Sequence, residues 1–329
     1  MQLTERLAEL TQIGNEYPDD LRNITLLDRP ELIDIQQLDK NDGDAWYIDG
    51  GNATVFDYWP FLVELNRMVA VRHIGLHKTS VLGPFTFLSL TYRERERLQT
   101  VTFGGPSFLS SAASPRHLNK VSNPSDMKFY SGRARRTAEL ALATKLAEAD
   151  AKTVILDGNF GHSDDQAEVD YLAHLFTKVK SSGCTLFGLT KRTVIRKEGI
   201  PITEYTDRFM RKMGYNFYCA RVGHAVRVND TKSELFVCRL SSAGRKSYLV
   251  ETLTPRIHDS VGILFANSAA LHSPGFPAGL IEADRFARIN QQEVKLLKLR
   301  LVGSFSADAR LSPYLLENYS HDLLDLLNA

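Results

Sequence analysis

The sequence predicts an α/β fold built on a mixed sheet with flanking helices and additional strands. Three observations carry that prediction: a block of strand-forming segments comes first, alternating helical and strand segments follow it, and a long amphipathic helix comes near the end. The 329 residues suffice for one large domain or two small ones. With 43% hydrophobic and 24% charged residues, the chain has the balance of a globular protein able to bury a core without disulfides or structural metals.

Leu3–Ile13 reads as a short amphipathic helix rather than a secretory leader, followed by an irregular stretch rich in Asp and Pro up to about Asp44. From Trp46 the pattern turns to strands: Trp46-Tyr47-Ile48, Ala53–Trp59, Leu62–Gly75 and Thr86–Tyr92, rich in Val, Ile, Phe and Tyr and broken by Gly and Pro. Leu62, Leu65 and Val69 also fit a helix, so that segment has two readings. Residues 104–128 read as a long polar loop, a length that is usually functional or disordered. From Gly132 to Ala149 the period is helical. Thr153–Leu156 and Thr185–Leu189 then read as strands on either side of a helix at Asp164–Ser181. Thr203–Met213 reads as helix, 217–267 as short strands and Gly279–Leu299 as one long amphipathic helix.

Cys184, Cys219 and Cys238 form no CxxC pair, which fits a reducing cytoplasm and cysteines used as small apolar residues. No apolar run approaches the about 18 residues needed to cross a membrane. The net charge of +1 does not suit a protein that coats DNA, but it leaves room for a groove with locally clustered Lys and Arg.

The chemistry is read from carboxylates. Asp49 and Asp157 each end an apolar strand segment and precede Gly and then a small or polar residue. An Asp in that setting is exposed at the sheet's end beside backbone that a ligand can approach. Two on neighbouring strands would converge, and hard cations such as Mg²⁺ or Mn²⁺ prefer such oxygen ligands. One Asp-Gly alone is better read as a turn; two matched copies favour a site. In the helix from Gly132, Glu139 shares a face with Leu142, Ala143 and Leu146, whereas Glu148 lies opposite, toward solvent. A carboxylate on the buried face binds a metal or pairs with Arg135 or Arg136, and both readings stand. In the last helix Asp284 lies with Leu280, Ile281 and Ala287 while Glu282 points away. The residues alone favour a pair with Arg288 or a helix-dipole role for Asp284 over a fourth carboxylate ligand. Lys191 and Arg192 follow a strand directly and suit a phosphate, with Arg196, Lys197, Arg208, Arg211 and Lys212 nearby in sequence. Taken alone, such a charge run is a solvated face.

The order of these motifs resembles the NurA nuclease family: Ile48-Asp49-Gly50-Gly51, the Glu139 helix, Val154-Ile155-Leu156-Asp157-Gly158-Asn159, Gly188-Leu189-Thr190-Lys191, and the closing Gly275-Phe276-Pro277 with Leu280, Ala283 and Ala287-Arg288-Ile289. The resemblance spans roughly residues 40–300. It implies a ribonuclease H-like nuclease domain over 46–300, preceded by an arm (1–45) and followed by a C-terminal extension (301–329). It further implies a cytoplasmic homodimer that cuts DNA single strands and ends, as an endonuclease and 5'-3' exonuclease. Manganese or magnesium would be its cofactor, and a HerA-type hexameric translocase its partner in repair or defence. By residue, it places metal ligands at Asp49, Glu139 and Asp157 and a phosphate-facing cation at Lys191. Where the family commonly has Ala-His this chain has Ala283-Asp284, so Asp284 either substitutes as a ligand, alters metal preference or weakens activity. His258 is a further active-site candidate.

The implied chemistry is metal-assisted in-line hydrolysis of a phosphodiester. Phe160, Tyr215, Phe217 and Tyr218 are candidates to stack bases, although most suit a core. Two rivals remain. An actin-like ATPase or small-molecule kinase would use Asp49-Gly50-Gly51-Asn52 and Asp157-Gly158-Asn159-Phe160-Gly161 as phosphate loops, but no later glycine-rich adenosine segment accompanies them. The other is a non-catalytic subunit that docks on a translocase.

Overall fold

The computed structural model describes residues 23–33, 43–58, 61–94, 97–109, 124–161, 166–253, 257–270 and 273–305. Its strands are β1 (Ile24–Ile33), β2 (Asp44–Tyr58), β3 (Phe61–Ile74), β4 (His77–Glu94), β5 (Arg97–Phe103), β6 (Thr153–Asp157), β7 (Thr185–Thr190), β8 (Arg196–Lys197), β9 (Ile200–Pro201), β10 (Tyr218–Val226), β11 (Lys232–Arg239) and β12 (Tyr248–Thr252). Ten of them form one sheet in the order β1-β10-β11-β12-β7-β6-β2-β3-β4-β5, and β8 pairs only with β9. The sheet is mixed: β6 is parallel to β2 and to β7, and the remaining pairs are antiparallel.

The helices are α1 (Pro124–Glu148), α2 (Gln166–Ser182), α3 (Ile202–Lys212), α4 (Ile257–Asn267), α5 (Ala278–Ala287) and α6 (Gln291–Phe305). α1 and α2 cover one face, where Leu140, Leu142, Leu172 and Phe176 pack on Ile48, Val154, Leu156 and Leu186. α4 and α5 cover the other, where Val261, Leu264 and Leu280 pack on Tyr47, Ile155, Phe187 and Leu189. β6 is covered on both faces and flanked by parallel neighbours, so its Thr-Val-Ile-Leu run is continuously buried instead of alternating.

Several boundaries differ from the sequence expectation. The strand assigned to Trp46–Ile48 does not stop at Asp49. β2 runs through to Tyr58 because its ladder with β3 is continuous across Gly50↔Met68 and Gly51↔Arg67. The Leu62–Gly75 segment is strand, not helix. The stretch before Asp44 contains β1, which pairs with β10. The first long helix begins at Pro124 rather than Gly132, with proline at a first-turn position where its missing N–H costs nothing. Residues 257–267 form α4, not a strand, since Val261 and Leu264 recur at helical spacing against the sheet. The single helix expected over Gly279–Leu299 is two, α5 and α6. Arg288 takes an extended ψ of 136°, and a capping box starts the next helix, with Asn290 Oδ1 accepting from the Glu293 N–H at 2.8 Å. The helix expected at Leu3–Ile13, residues 110–123 and the chain after Phe305 lie outside the described residues.

Candidate metal and phosphate site

Asp49 and Asp157 meet where the sheet's parallel part ends. β2 pairs with β6 from Trp46↔Val154 to Ile48↔Leu156, β6 stops at Asp157, and β2 continues. Register therefore brings Asp49 beside Asp157. Ile48 and Leu156 pack under α1 and α2, whereas Tyr47 and Ile155 pack under α4 and α5. Alternation of the pleat places both aspartates on the α5 face and Gly50 on the α1 face.

Asp49 is 5% exposed, and its Oδ1 accepts the Gly50 N–H at 2.7 Å. Burial, and then the neighbouring Glu139 and Asp157 carboxylates, push its pKa up to about 8, against the opposing pull of the Gly50 amide and Lys191. Glu139 arrives from the other face. The phase read from the sequence holds: Leu142, Ala143 and Leu146 are buried on its side, and Glu148 is exposed and pairs with Lys145 and Lys178. Glu139 lies against Gly50, close enough for its charge to act on Asp49, because Gly50 has no side chain: a Cβ there would stand 2.5 Å from Glu139 Oε1. In the buried Glu139, Oε1 accepts from Arg135 Nη1 at 2.7 Å and Oε2 from Arg136 Nη1 at 3.2 Å. Arg135 also donates to the Gly50 carbonyl at 2.7 Å. The Glu139 charge, opposed by burial and aided by Asp49 and Asp157, raises the Arg135 pKa.

Lys191 donates to Asp157 Oδ2 at 2.6 Å, and its Nζ lies 4.9 Å from the centre of the Phe276 ring. Burial works against its charge, but Asp157 foremost, with Asp49 and Asp284, raises its pKa. Asp284 is half-exposed and turned to Arg288 (2.6 Å), the pairing that the residues alone favoured. It nonetheless lies within electrostatic reach of Lys191. Glu282, expected to point away, instead meets His73 at 3.3 Å and Lys78 at 3.5 Å, because α5 packs across β3 as well as β2.

Asp49, Glu139, Asp157 and Lys191 thus come together, with Asp284 at the margin. Among the described residues, no three His, Cys, Asp or Glu side chains converge closely enough to hold a metal ion as they stand. Arginine occupies both oxygens of Glu139, and Lys191 occupies one of Asp157. The donor set still fits a hard divalent cation: it is all oxygen, and among the described residues the buried Asp49 forms no ion pair while Glu139 and Asp157 act on it. A cation there would take over the balancing role of Arg135 and Lys191.

Most of the wider basic cluster serves local structure. Arg196 caps the Gly199 carbonyl, Lys197 the Leu27 and Asp28 carbonyls, Arg208 pairs with Glu204, and Arg211 pairs with Asp207. Phe160 and Tyr218 are core, whereas Tyr215 and Phe217 are exposed. His258 falls in the first turn of α4, and its side chain is outside the described residues. The actin-like alternative loses its first phosphate loop, since Asp49–Asn52 lies within a paired strand instead of a turn with free N–H groups. Phe276 as a platform for Lys191 was not legible as such; only its place in a Gly-Phe-Pro motif marked it.

No family model matches the sequence, and no curated protein sequence matches it. Among solved structures, the chain is similar to the NurA nuclease from Sulfolobus solfataricus, with 13% identity, 93% of this chain and 94% of that one covered, and a TM-score of 0.51. It is similar also to a structure of NurA with manganese, with 10% identity, 95% and 99% coverage and a TM-score of 0.51. The α/β fold with a mixed sheet and flanking helices that the sequence predicted is the fold the chain adopts, and it is similar to the fold of these two NurA structures over nearly the whole length of each.

Proposed function

We propose that this chain is a divalent-metal-dependent deoxyribonuclease. The observation that carries the proposal is the buried Asp49 at the end of the parallel ladder, its pKa raised to about 8 by burial and by the charges of Glu139 and Asp157. Packing carboxylates this way is costly unless a cation balances them. The fold similarity to a NurA structure with manganese supports Mn²⁺, with Mg²⁺ as the alternative hard cation.

In this reading Asp49, Asp157 and Glu139 would hold the cation, and Asp284, paired with Arg288, would be a candidate fourth ligand. A bound divalent ion supplies Lewis acidity and lowers the pKa of water. Asp49 would hold the cation as its carboxylate, the form that burial and its acidic neighbours disfavour without one. Lys191, beside Asp157, would face the scissile phosphate and offset its charge in the transition state. Phe276 holds that ammonium near the centre by cation–π attraction. Arg135 keeps its bond to the Gly50 carbonyl and stays available to a phosphate oxygen.

The finer activity follows from the resemblance: endonuclease and 5'-3' exonuclease action on single strands and ends, as a cytoplasmic homodimer working with a HerA-type hexamer in repair or defence. No helix among the described residues is long and apolar enough to cross a membrane. The test is cleavage of labelled single-stranded DNA by purified protein with Mn²⁺. Cleavage abolished by chelator and by Asp49→Asn or Asp157→Asn is expected. Cleavage that survives both substitutions would overturn the site.

A further inference from the structure

The turn that follows Asp157 is anchored from the far side of the sheet. The Phe160 N–H donates to Glu251 Oε2 at 3.1 Å. Glu251, on β12, is fully buried, and it accepts from Arg227 Nε at 2.6 Å, Arg227 Nη2 at 2.9 Å and the Ser233 hydroxyl. The Arg227 side chain is itself 3% exposed. A buried pair of this kind adds little net stability, because desolvating both ions offsets their attraction and apolar residues of similar volume serve as well. Its placement has another consequence. Of the groups Glu251 binds, the Phe160 amide belongs to the segment that carries a carboxylate of the candidate site.

Other bonds fix the same segment. The Gly158 N–H donates to the Leu189 carbonyl at 2.8 Å, and Arg136 donates to the Asp157 and Asn159 carbonyls at 3.3 and 2.6 Å. Gly158 has φ of 107°, a conformation that favours glycine. Its carbonyl fits over Gly188 only because a Cβ there, 2.5 Å away, is missing. Gly158 and Arg136 hold the start of the turn, and at its end Arg136 and Glu251 bind the two sides of the Asn159–Phe160 peptide unit.

We propose that Glu251, held in place by Arg227, is a positioning residue for Asp157: it fixes the end of the 157–160 turn and so the direction of the Asp157 carboxylate. The proposal rests on the reading of Asp157 as a metal-holding group. Arg227→Met/Glu251→Met removes the ion pair and the acceptor, whereas Arg227→Met/Glu251→Gln removes the pair but keeps an oxygen for the Phe160 N–H. Glu251→Asp retains the charge and shortens the reach, so it serves if the methionine pair does not fold. Mn²⁺ affinity by calorimetry and amide exchange of residues 157–161 in chelator are measured on each folded variant. We expect about tenfold or greater loss of Mn²⁺ affinity, the usual scale for groups that orient ligands, in the methionine pair and in Glu251→Asp. Faster exchange at Phe160 accompanies that loss, and the glutamine variant restores both. Unchanged affinity and exchange in the methionine pair or in Glu251→Asp, or equal loss in the glutamine variant, would overturn the proposal. If the unsubstituted protein binds no Mn²⁺, the reading of Asp157 fails instead, and exchange at Phe160 alone decides the anchor.

Discussion

Replacing Asp49 with Asn should stabilise the metal-free protein, and the gain should grow with pH. An ordinary carboxyl of pKa 3.8 is ionised at neutral pH, but in the folded chain Asp49 stays protonated up to about 8. Holding it uncharged at pH 7 therefore costs about 1.4 kcal/mol for each pH unit above its ordinary pKa, or about 4 kcal/mol in all. Between these pKa values the native state binds more protons than the unfolded one, so stability falls as pH rises through that window and is level on either side. Asparagine carries no charge, keeps an oxygen for the Gly50 N–H and can donate to Asp157 or Glu139. The expected gain in urea denaturation with chelator present is about 2–4 kcal/mol at pH 7, shrinking to about 1–2 kcal/mol at pH 5. Mn²⁺ should reverse the order, stabilising the unsubstituted protein by mass action and the variant little. A variant less stable than the parent in chelator, or a difference flat from pH 5 to 8, would refute the argument that Asp49 is a buried acid poised for a cation.

Four further outcomes follow from the geometry. Gly50→Ala places a Cβ 2.5 Å from Glu139 Oε1, so the carboxylate is pushed away; cleavage should fall by about two orders of magnitude while stability drops by only about 1–3 kcal/mol, read by single-turnover assay and thermal melt. Lys191→Met breaks a half-exposed pair, so stability should change by less than about 1 kcal/mol while cleavage slows about 10²–10³-fold. Asp284→Ala loses only a half-exposed partner of Arg288, so the melting point should hold while Mn²⁺ binding weakens; unaltered binding would restrict the centre to three carboxylates. Arg227→Ala should cost about 3–5 kcal/mol, because it leaves the Glu251 charge buried and unpaired, a loss that denaturation measures directly.

Much of this arrangement was legible in the residues. The Asp-Gly pairs identified the two aspartates, and helical phase separated Glu139 from Glu148, because both signals are local and depend on a few neighbouring side chains. What was not legible depended on pairing. Glycines at 50 and 51 read as a strand end, yet β3 supplies a continuous ladder through them, and the glycines serve to clear space for Glu139 and for the end of α5. The break between α5 and α6 was signalled by Asn290 and Glu293, whose capping box was masked by apolar residues continuing at helical spacing on both sides. Glu251 stands within Tyr-Leu-Val-Glu-Thr, a strand otherwise rich in apolar residues, and a charge there hints at a buried partner. Which partner it has, Arg227, follows only from the β10–β11–β12 register. Asp284 was legible in the same local way: Arg288 stands one helical turn on, and its guanidinium takes the side chain as the residues alone favoured.

The most direct test of the central claim is anomalous diffraction from crystals soaked in Mn²⁺. The account predicts a peak touching carboxylate oxygens of both Asp49 and Asp157, with Lys191 withdrawn from Asp157 and Arg135 from Glu139. No peak there at saturating Mn²⁺, with the Lys191–Asp157 and Arg135–Glu139 pairs intact, would contradict it.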